Sequence, residues 1–341
     1  MKLVFVTQEL DPEHPALAAT TAQVAALARR VDELVVLADS VVSAALPGNC
    51  RARTFRAGSR AGRGARFESA LARELTGLRG GAVVAHMCPI YAVLAAPFVR
   101  PLGIPLVLWF AHWRASGTLR LAERASTAVV SVDSRSLPLP SKKLRAIGHG
   151  IELSEFECAR RDGDGALRLL ALGRYSPAKG LDVVVRALVK TDAELTVHGP
   201  TLTEAERAHR AELEALVAEL GLDGRVRLED AVPRAQVPSL LAEADVLMNN
   251  MRAGAPDKVV YEAAASCLPV IASNPVFDDL LPSELRFDRD SPEQLADRLR
   301  AFAALDSERR AAIGNALRRG VEERHSVESW ADGVLRAAEL A

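Results

Sequence analysis

The feature that most constrains this chain is an alternation that occurs twice. Short runs of Val and Leu recur in the first half at 3–6, 34–37, 83–85, 106–109 and 128–132. Such short runs, rich in Val and Leu, suit strands buried on both faces, as a parallel sheet requires. Helical patterns fall between most of them, at 19–30, 69–75 and 119–124. Strands alternating with helices imply βαβ units. A loop is expected from Thr7 to Ala18.

The alternation breaks at 158–166, where the sequence turns polar, charged and glycine-containing. It then restarts with runs at 167–172, 195–197, 226–228, 246–248 and 270–272. Helical patterns lie at 181–190, 204–220, 293–305 and 327–340. The expected architecture is α/β: two Rossmann-like domains with parallel sheets facing a central cleft. The first spans 1–157, the linker 158–166 and the second 167–325. Sheets of this kind bind ligands outside the C-terminal ends of their strands.

Composition narrows the function. Of the 341 residues, 49% are hydrophobic and 26% charged, as in soluble globular proteins. A net charge of -1 and 4% aromatics argue against a nucleic-acid binder. The first residues are too short an apolar run for a signal peptide, and no run reaches membrane-spanning length. The expected compartment is the cytoplasm. Cys50, Cys88, Cys158 and Cys267 are scattered, which reads as reduced, mostly buried thiols.

Three segments carry chemistry. In the first, Gly173-Arg174-Tyr175-Ser176-Pro177-Ala178-Lys179-Gly180 joins a strand to a helix. Free backbone N–H groups and the helix dipole favour an anion there, and Arg174 and Lys179 add two positive charges. An exposed basic loop is the plainer alternative. In the second, Glu262 sits among apolar and small residues, where an unpaired carboxylate is costly. Its partner is either a pair of ligand hydroxyls, or nearby backbone or an arginine of the protein. In the third, His112 follows a strand directly. It either donates to a hydroxyl or moves a proton, or it is structural with its nitrogens satisfied locally.

Other signals are weaker. Asp288-Arg289-Asp290 beside Ser291-Pro292 reads as a turn and helix cap. Asp162-Gly163-Asp164 lies in the linker, and neither Asp-X-Asp pair offers the converging oxygens that a hard cation needs. The arginines at 51, 53, 56, 60, 63 and 66, with no acid between them, read as a solvated mobile loop. The other reading is a surface that attracts anionic lipid or an acidic acceptor.

At these residues the chain resembles glycosyltransferase family 4, retaining enzymes of the GT-B fold. His149-Gly150-Ile151-Glu152-Leu153-Ser154-Glu155-Phe156 resembles the family's interdomain segment, and 173–180 its phosphate loop. The stretches 232–246 and 262–270 resemble the segment before its donor helix, the helix itself and the following strand. The resemblance implies that Arg174 and Lys179 hold the donor pyrophosphate and neutralise the leaving nucleotide, that Glu262 binds the ribose, and that His112 lies near the transferred sugar. It also implies that the final helix, 326–341, packs back on the first domain.

The chain departs from the family twice. Gly254 stands where the family often has a first Glu that reaches the sugar, so Asp257, Lys258 and the backbone at Gly254 are the candidates to substitute. The glycine-rich loop after the first strand is replaced by residues 11–17. The implied reaction moves a sugar from a nucleotide-sugar donor to a hydroxyl acceptor (sugar, lipid or small metabolite), with no metal or cofactor. The rival readings are a sugar phosphorylase or epimerase on the same fold, and a nucleotide-sugar-binding protein that has lost transfer.

Overall fold

The structure, a computed structural model, describes residues 1–11, 19–42, 46–159 and 165–339. These fall into two compact units: 1–152 with 324–341, and 153–323.

In the first unit the strands are β1 (Lys2–Leu10), β2 (Glu33–Val41), β3 (Cys50–Thr54), β4 (Ala82–His86), β5 (Leu106–Trp109), β6 (Ala128–Ser131) and β7 (Leu144–Ala146). They form one sheet in the order β3-β2-β1-β4-β5-β6-β7, every pairing parallel. Leu3, Val4, Phe5 and Val6 of β1 are fully buried, because helices cover both faces of a central parallel strand. The strand order reverses between β1 and β4, which opens a crevice at their C-terminal ends.

The last described helix, Val327–Glu339, belongs to this unit. It packs on the Ala19–Ala28 helix and on β5 and β6. Trp330 is its anchor: fully buried, edge-on to Phe5 at 6.4 Å and to Trp109 at 6.5 Å. Arg30 ties the helix down further through Asp332 at 2.6 Å.

The second unit holds β8 (Arg168–Leu172), β9 (Glu194–His198), β10 (Val226–Glu229), β11 (Val246–Asn249) and β12 (Val270–Ala272). Its parallel sheet runs β10-β9-β8-β11-β12, so the order reverses between β8 and β11. Among the helices around it, Glu204–Glu219 starts from a capping box between Thr203 and Glu206, and Lys258–Ala265 is buried along almost its whole length.

The structure corrects three expectations. The arginine-rich stretch is not a loop. Its first part is edge strand β3, and from Arg60 it is helix to Leu75, capped by Ser59. Arg51 pairs there with Glu33 and, at 2.7 Å, with buried Glu74, so acids distant in sequence neutralise part of the run. Those guanidinium hydrogen bonds hold the Glu74 carboxyl at about 2, below its ordinary value. Second, Cys158 is disulfide-bonded to Cys267, 109 residues on. Cysteine spacing says nothing of a bridge between segments that only the fold brings together. Third, Thr7 to Leu10 belong to β1 rather than to a loop. Residues 12–18 of the expected loop, and 160–164 of the expected linker with its Asp162-Gly163-Asp164, lie outside the described residues.

Candidate functional site

In the second unit the crevice between β8 and β11 is where the fold itself directs a ligand. The loop after β8 is the Gly173–Gly180 segment, and the loop after β11 runs from Asn249 to Asp257. Tyr175 fixes the first of these from below. It is fully buried, and its hydroxyl donates to the Glu229 carbonyl at 2.7 Å, with the Val197 carbonyl also within reach at 3.1 Å. The Ser176 hydroxyl accepts from the Ala178 N–H at 3.3 Å. The loop therefore presents its two cations in fixed and different ways.

Lys179 folds inward. Its ammonium donates to the Leu172 carbonyl at 3.0 Å and to Asp257 Oδ2, and the side chain is only 15% exposed. Gly173 makes room for it: a β-carbon there would lie 2.4 Å from Lys179 Nζ, and φ is +129°. Asn249 Nδ2 donates to the same Asp257 oxygen at 2.7 Å. Arg174 points outward. Its guanidinium pairs with Glu206 at 3.0 Å and its side chain is 58% exposed.

Glu262 lies on the Lys258–Ala265 helix with a side chain 5% exposed. Of the partners left open by the sequence, an arginine is present. Arg234 reaches Glu262 Oε1 at 2.8 Å, and Lys258, one turn earlier on the helix, reaches the same oxygen at 2.8 Å. Arg234 also pairs with Glu155 at 2.7 Å and lies over the Phe156 ring at 5.3 Å. Two cations on one carboxylate offset the cost of burying it.

Gly254 has φ +78°, and its N–H donates to Asn274 Oδ1 at 3.2 Å. Glutamate would adopt that backbone only with strain, so the local chain is shaped for glycine. Asn274 clamps this loop, donating to the carbonyls of Arg252 and Ala255 at 2.8 Å each. Asn250 ties the two loops together: its amide donates to the Gly180 carbonyl at 2.9 Å. Arg289, read as part of a turn, donates to the carbonyls of Ala178 at 3.1 Å and Pro177 at 3.2 Å, bracing the phosphate-loop candidate from outside. Sequence reasoning missed these asparagines. The available signal was polar Asn249-Asn250 directly ending a buried strand.

Lys179, Asp257 and Asn249 are thus brought into contact. Glu262 and Lys258 form a second cluster with Arg234, and Arg174 stands apart with Glu206. Among the described residues no group of three or more His, Cys, Asp and Glu could hold a metal ion.

In the first unit His112 follows β5 and is exposed. Its Nδ1 accepts the Arg114 N–H at 3.0 Å, and its ring stacks on Trp113 at 5.4 Å. An accepting Nδ1 puts the proton of the neutral ring on Nε2, which leaves Nε2–H as the donor. A cluster not anticipated lies in the same unit. His86 ends β4, bonds through Nδ1 to the Thr7 hydroxyl at 3.1 Å and stacks on Trp109 at 5.0 Å. His149 meets the same indole at 6.3 Å. Burial, then the charge of His149, pushes His86 down to about 3. His325 is also lowered to about 3, by burial and then by His149 and Arg324.

Over the whole chain this architecture matches solved structures. Anabaena HepE, solved in complex with UDP and glucose, aligns with a TM-score of 0.76 at 18% identity, covering 100% of both chains. Sucrose-phosphate synthase from Thermosynechococcus elongatus aligns with a TM-score of 0.76 at 16% identity, covering 99% of this chain and 98% of that one. The fold is GT-B.

Within this GT-B chain, residues 161–319, nearly all of the second unit, match the family model of glycosyl transferases group 1. A relative in sequence is the UDP-N-acetylglucosamine–N-acetylmuramyl-(pentapeptide) pyrophosphoryl-undecaprenol N-acetylglucosamine transferase of Sorangium cellulosum. It is 32% identical over 199 residues, 56% of this chain and 43% of that protein. The match therefore spans less than half the length of the curated relative. Among the described residues of the GT-B chain, no helix is long and apolar enough to cross a membrane.

Proposed function

We propose that this chain is a retaining glycosyltransferase. It would move a sugar from a nucleoside-diphosphate sugar to a hydroxyl acceptor (sugar, lipid or small metabolite), without a metal, in the cytoplasm. The observation that carries the reading is the pair of loops at the β8–β11 reversal. They set the Lys179 ammonium and the outward Arg174 guanidinium at the strand ends where this fold class binds ligands. Support comes from the group 1 match over the same unit and from the UDP and glucose bound by HepE.

In this reading Arg174 and Lys179 take up the charge that develops on the departing diphosphate, work that a metal does elsewhere. Glu262 accepts from the ribose hydroxyls, and Arg234 and Lys258 hold its carboxylate in place. Backbone at Gly254, with Lys258, meets the sugar and its linking phosphate, and Asp257 is a further candidate to reach the sugar. His112 is the first unit's candidate group, as a hydroxyl donor or a carrier of the proton. Retention follows from a same-face displacement: the leaving phosphate oxygen takes the acceptor proton as the new glycosidic bond forms. No protein nucleophile is required.

Thermal unfolding with UDP, GDP, ADP and TDP in excess EDTA tests the reading. A ligand present at a hundred or more times its dissociation constant stabilises by about 3–4 kcal/mol. One nucleotide should raise the melting temperature of the unmodified protein, and Arg174→Ala and Glu262→Ala should lose the response. If none of the four does so, the donor site is refuted.

A second reading is favoured by one observation. The backbone at Gly254 is built for glycine where the family resemblance expects a sugar-binding glutamate. The alternative is therefore a nucleotide-sugar-binding protein without transfer. Nucleotide binding with no sugar transferred to any acceptor in cell extract would establish it. Phosphate-dependent turnover without an acceptor would instead mark a phosphorylase.

A further inference from the structure

We infer that Asp257 is a resident counter-anion for Lys179, one that the donor diphosphate must displace and that speeds release of the nucleoside diphosphate product. The inference rests on the donor-site reading above. It departs from that reading at one residue, Asp257, which competes with phosphate rather than binding the donor.

The geometry is that of a filled anion site. Lys179 is the loop's inward cation, and one of its donors is committed to the Leu172 carbonyl. Another is committed to Asp257 Oδ2. The pair is nearly closed to water, with side chains 15% and 18% exposed. Asn249 donates to the same carboxylate oxygen at 2.7 Å, so Asp257 is held in place rather than swinging on a free loop. An ammonium aimed at phosphate by the strand-end loop is therefore already neutralised by a carboxylate of the facing loop.

A diphosphate entering this crevice meets Lys179 only by sharing it with Asp257 or by displacing Asp257, and the carboxylate repels it meanwhile. That repulsion grows with ligand charge. A free nucleoside diphosphate carries one more negative charge than the same nucleotide esterified to a sugar. Asp257 thus penalises product more than donor. An uncharged nucleoside feels neither effect.

Calorimetric titration of the full chain with UDP tests this, or with whichever of GDP, ADP and TDP the panel selects, with the matching nucleoside as uncharged control. Asp257→Asn keeps the shape and removes the charge. Asp257→Ser removes the charge with less bulk, should the amide fold poorly. Both should tighten the diphosphate about tenfold, the lower end of what one nearby charge does to an ionic equilibrium. Nucleoside affinity should stay within about twofold, since the Coulomb term is absent, and product inhibition should deepen. Unchanged or weaker diphosphate binding would show that Asp257 aligns Lys179 for the ligand, and would overturn the inference. A parallel change in nucleoside affinity would do the same by revealing a structural role. If the unmodified chain binds none of the four diphosphates, the donor reading itself fails and this inference goes with it.

Discussion

The two sheets reverse their strand order at equivalent places, and the polar groups there are opposite in kind. At the β1–β4 reversal, Thr7 and His86 meet in a buried, uncharged contact walled by Phe5 and Trp109. At the β8–β11 reversal, Lys179, Asp257 and Asn249 meet in an ionic one. One architecture thus accommodates both solutions, because the crevice is a property of topology and its chemistry is set by a few strand-end residues.

The largest expected effect lies in the first unit, which holds the neutral crevice. His86 and His325 are held unprotonated, each near 3 against 6.5 for an ordinary histidine. For a base lowered in the fold, the unfolded chain takes up the proton first. Stability is therefore fully present above about pH 6.5 and is lost as pH falls toward 3, at about 1.4 kcal/mol per pH unit for each histidine. Between pH 7 and pH 4 that is about 3 kcal/mol each, by the same linkage. Urea unfolding across this range should show the loss, and His86→Gln should lower the slope. A slope that His86→Gln leaves unchanged would mean that His86 does not drive the acid response.

The ionic crevice should respond to loss of charge with a smaller effect. Lys179→Met leaves Asp257 part-buried with Asn249 as its remaining donor. The expected destabilisation is about 2 kcal/mol, between the values for exposed and for fully buried pairs. Raised salt should barely change it, since a pair this closed is poorly screened. Equal stability of the variant at pH 7 would show that the pair is balanced by its own desolvation, and the contrast between the crevices would then be one of ligand preference alone.

Much of this contrast was hidden in the sequence, for physical reasons. The central strands were legible because burial on both faces fills them with apolar residues, Val and Leu above all. Edge strands β3 (Cys-Arg-Ala-Arg-Thr) and β7 (Leu-Arg-Ala) were not, because a strand with water on one side can carry arginine. The helix from Arg60 was obscured by Gly62 and Gly64, which read as loop. Lys179, Arg174 and Glu262 could be named one by one from local pattern. Their pairings could not: Arg234 with Glu262, Asp257 with Lys179 and Cys158 with Cys267 join residues that only the fold brings together.

The smallest effect on stability is expected at Arg174, and it sharpens the comparison most. Its pair with Glu206 is exposed on the arginine side, and Glu206 keeps its capping bonds to the Leu202 and Thr203 N–H groups without it. Arg174→Ala should therefore cost no more than about 0.5 kcal/mol, as exposed ion pairs do. The same substitution should remove the stabilisation that a nucleoside diphosphate gives. Lys179→Met mixes a folding loss with a binding loss, whereas Arg174→Ala isolates the second. If Arg174→Ala melts like the unmodified chain and still responds fully to nucleotide, the outward guanidinium is ordinary surface charge, and the phosphate must be held by Lys179 and backbone alone.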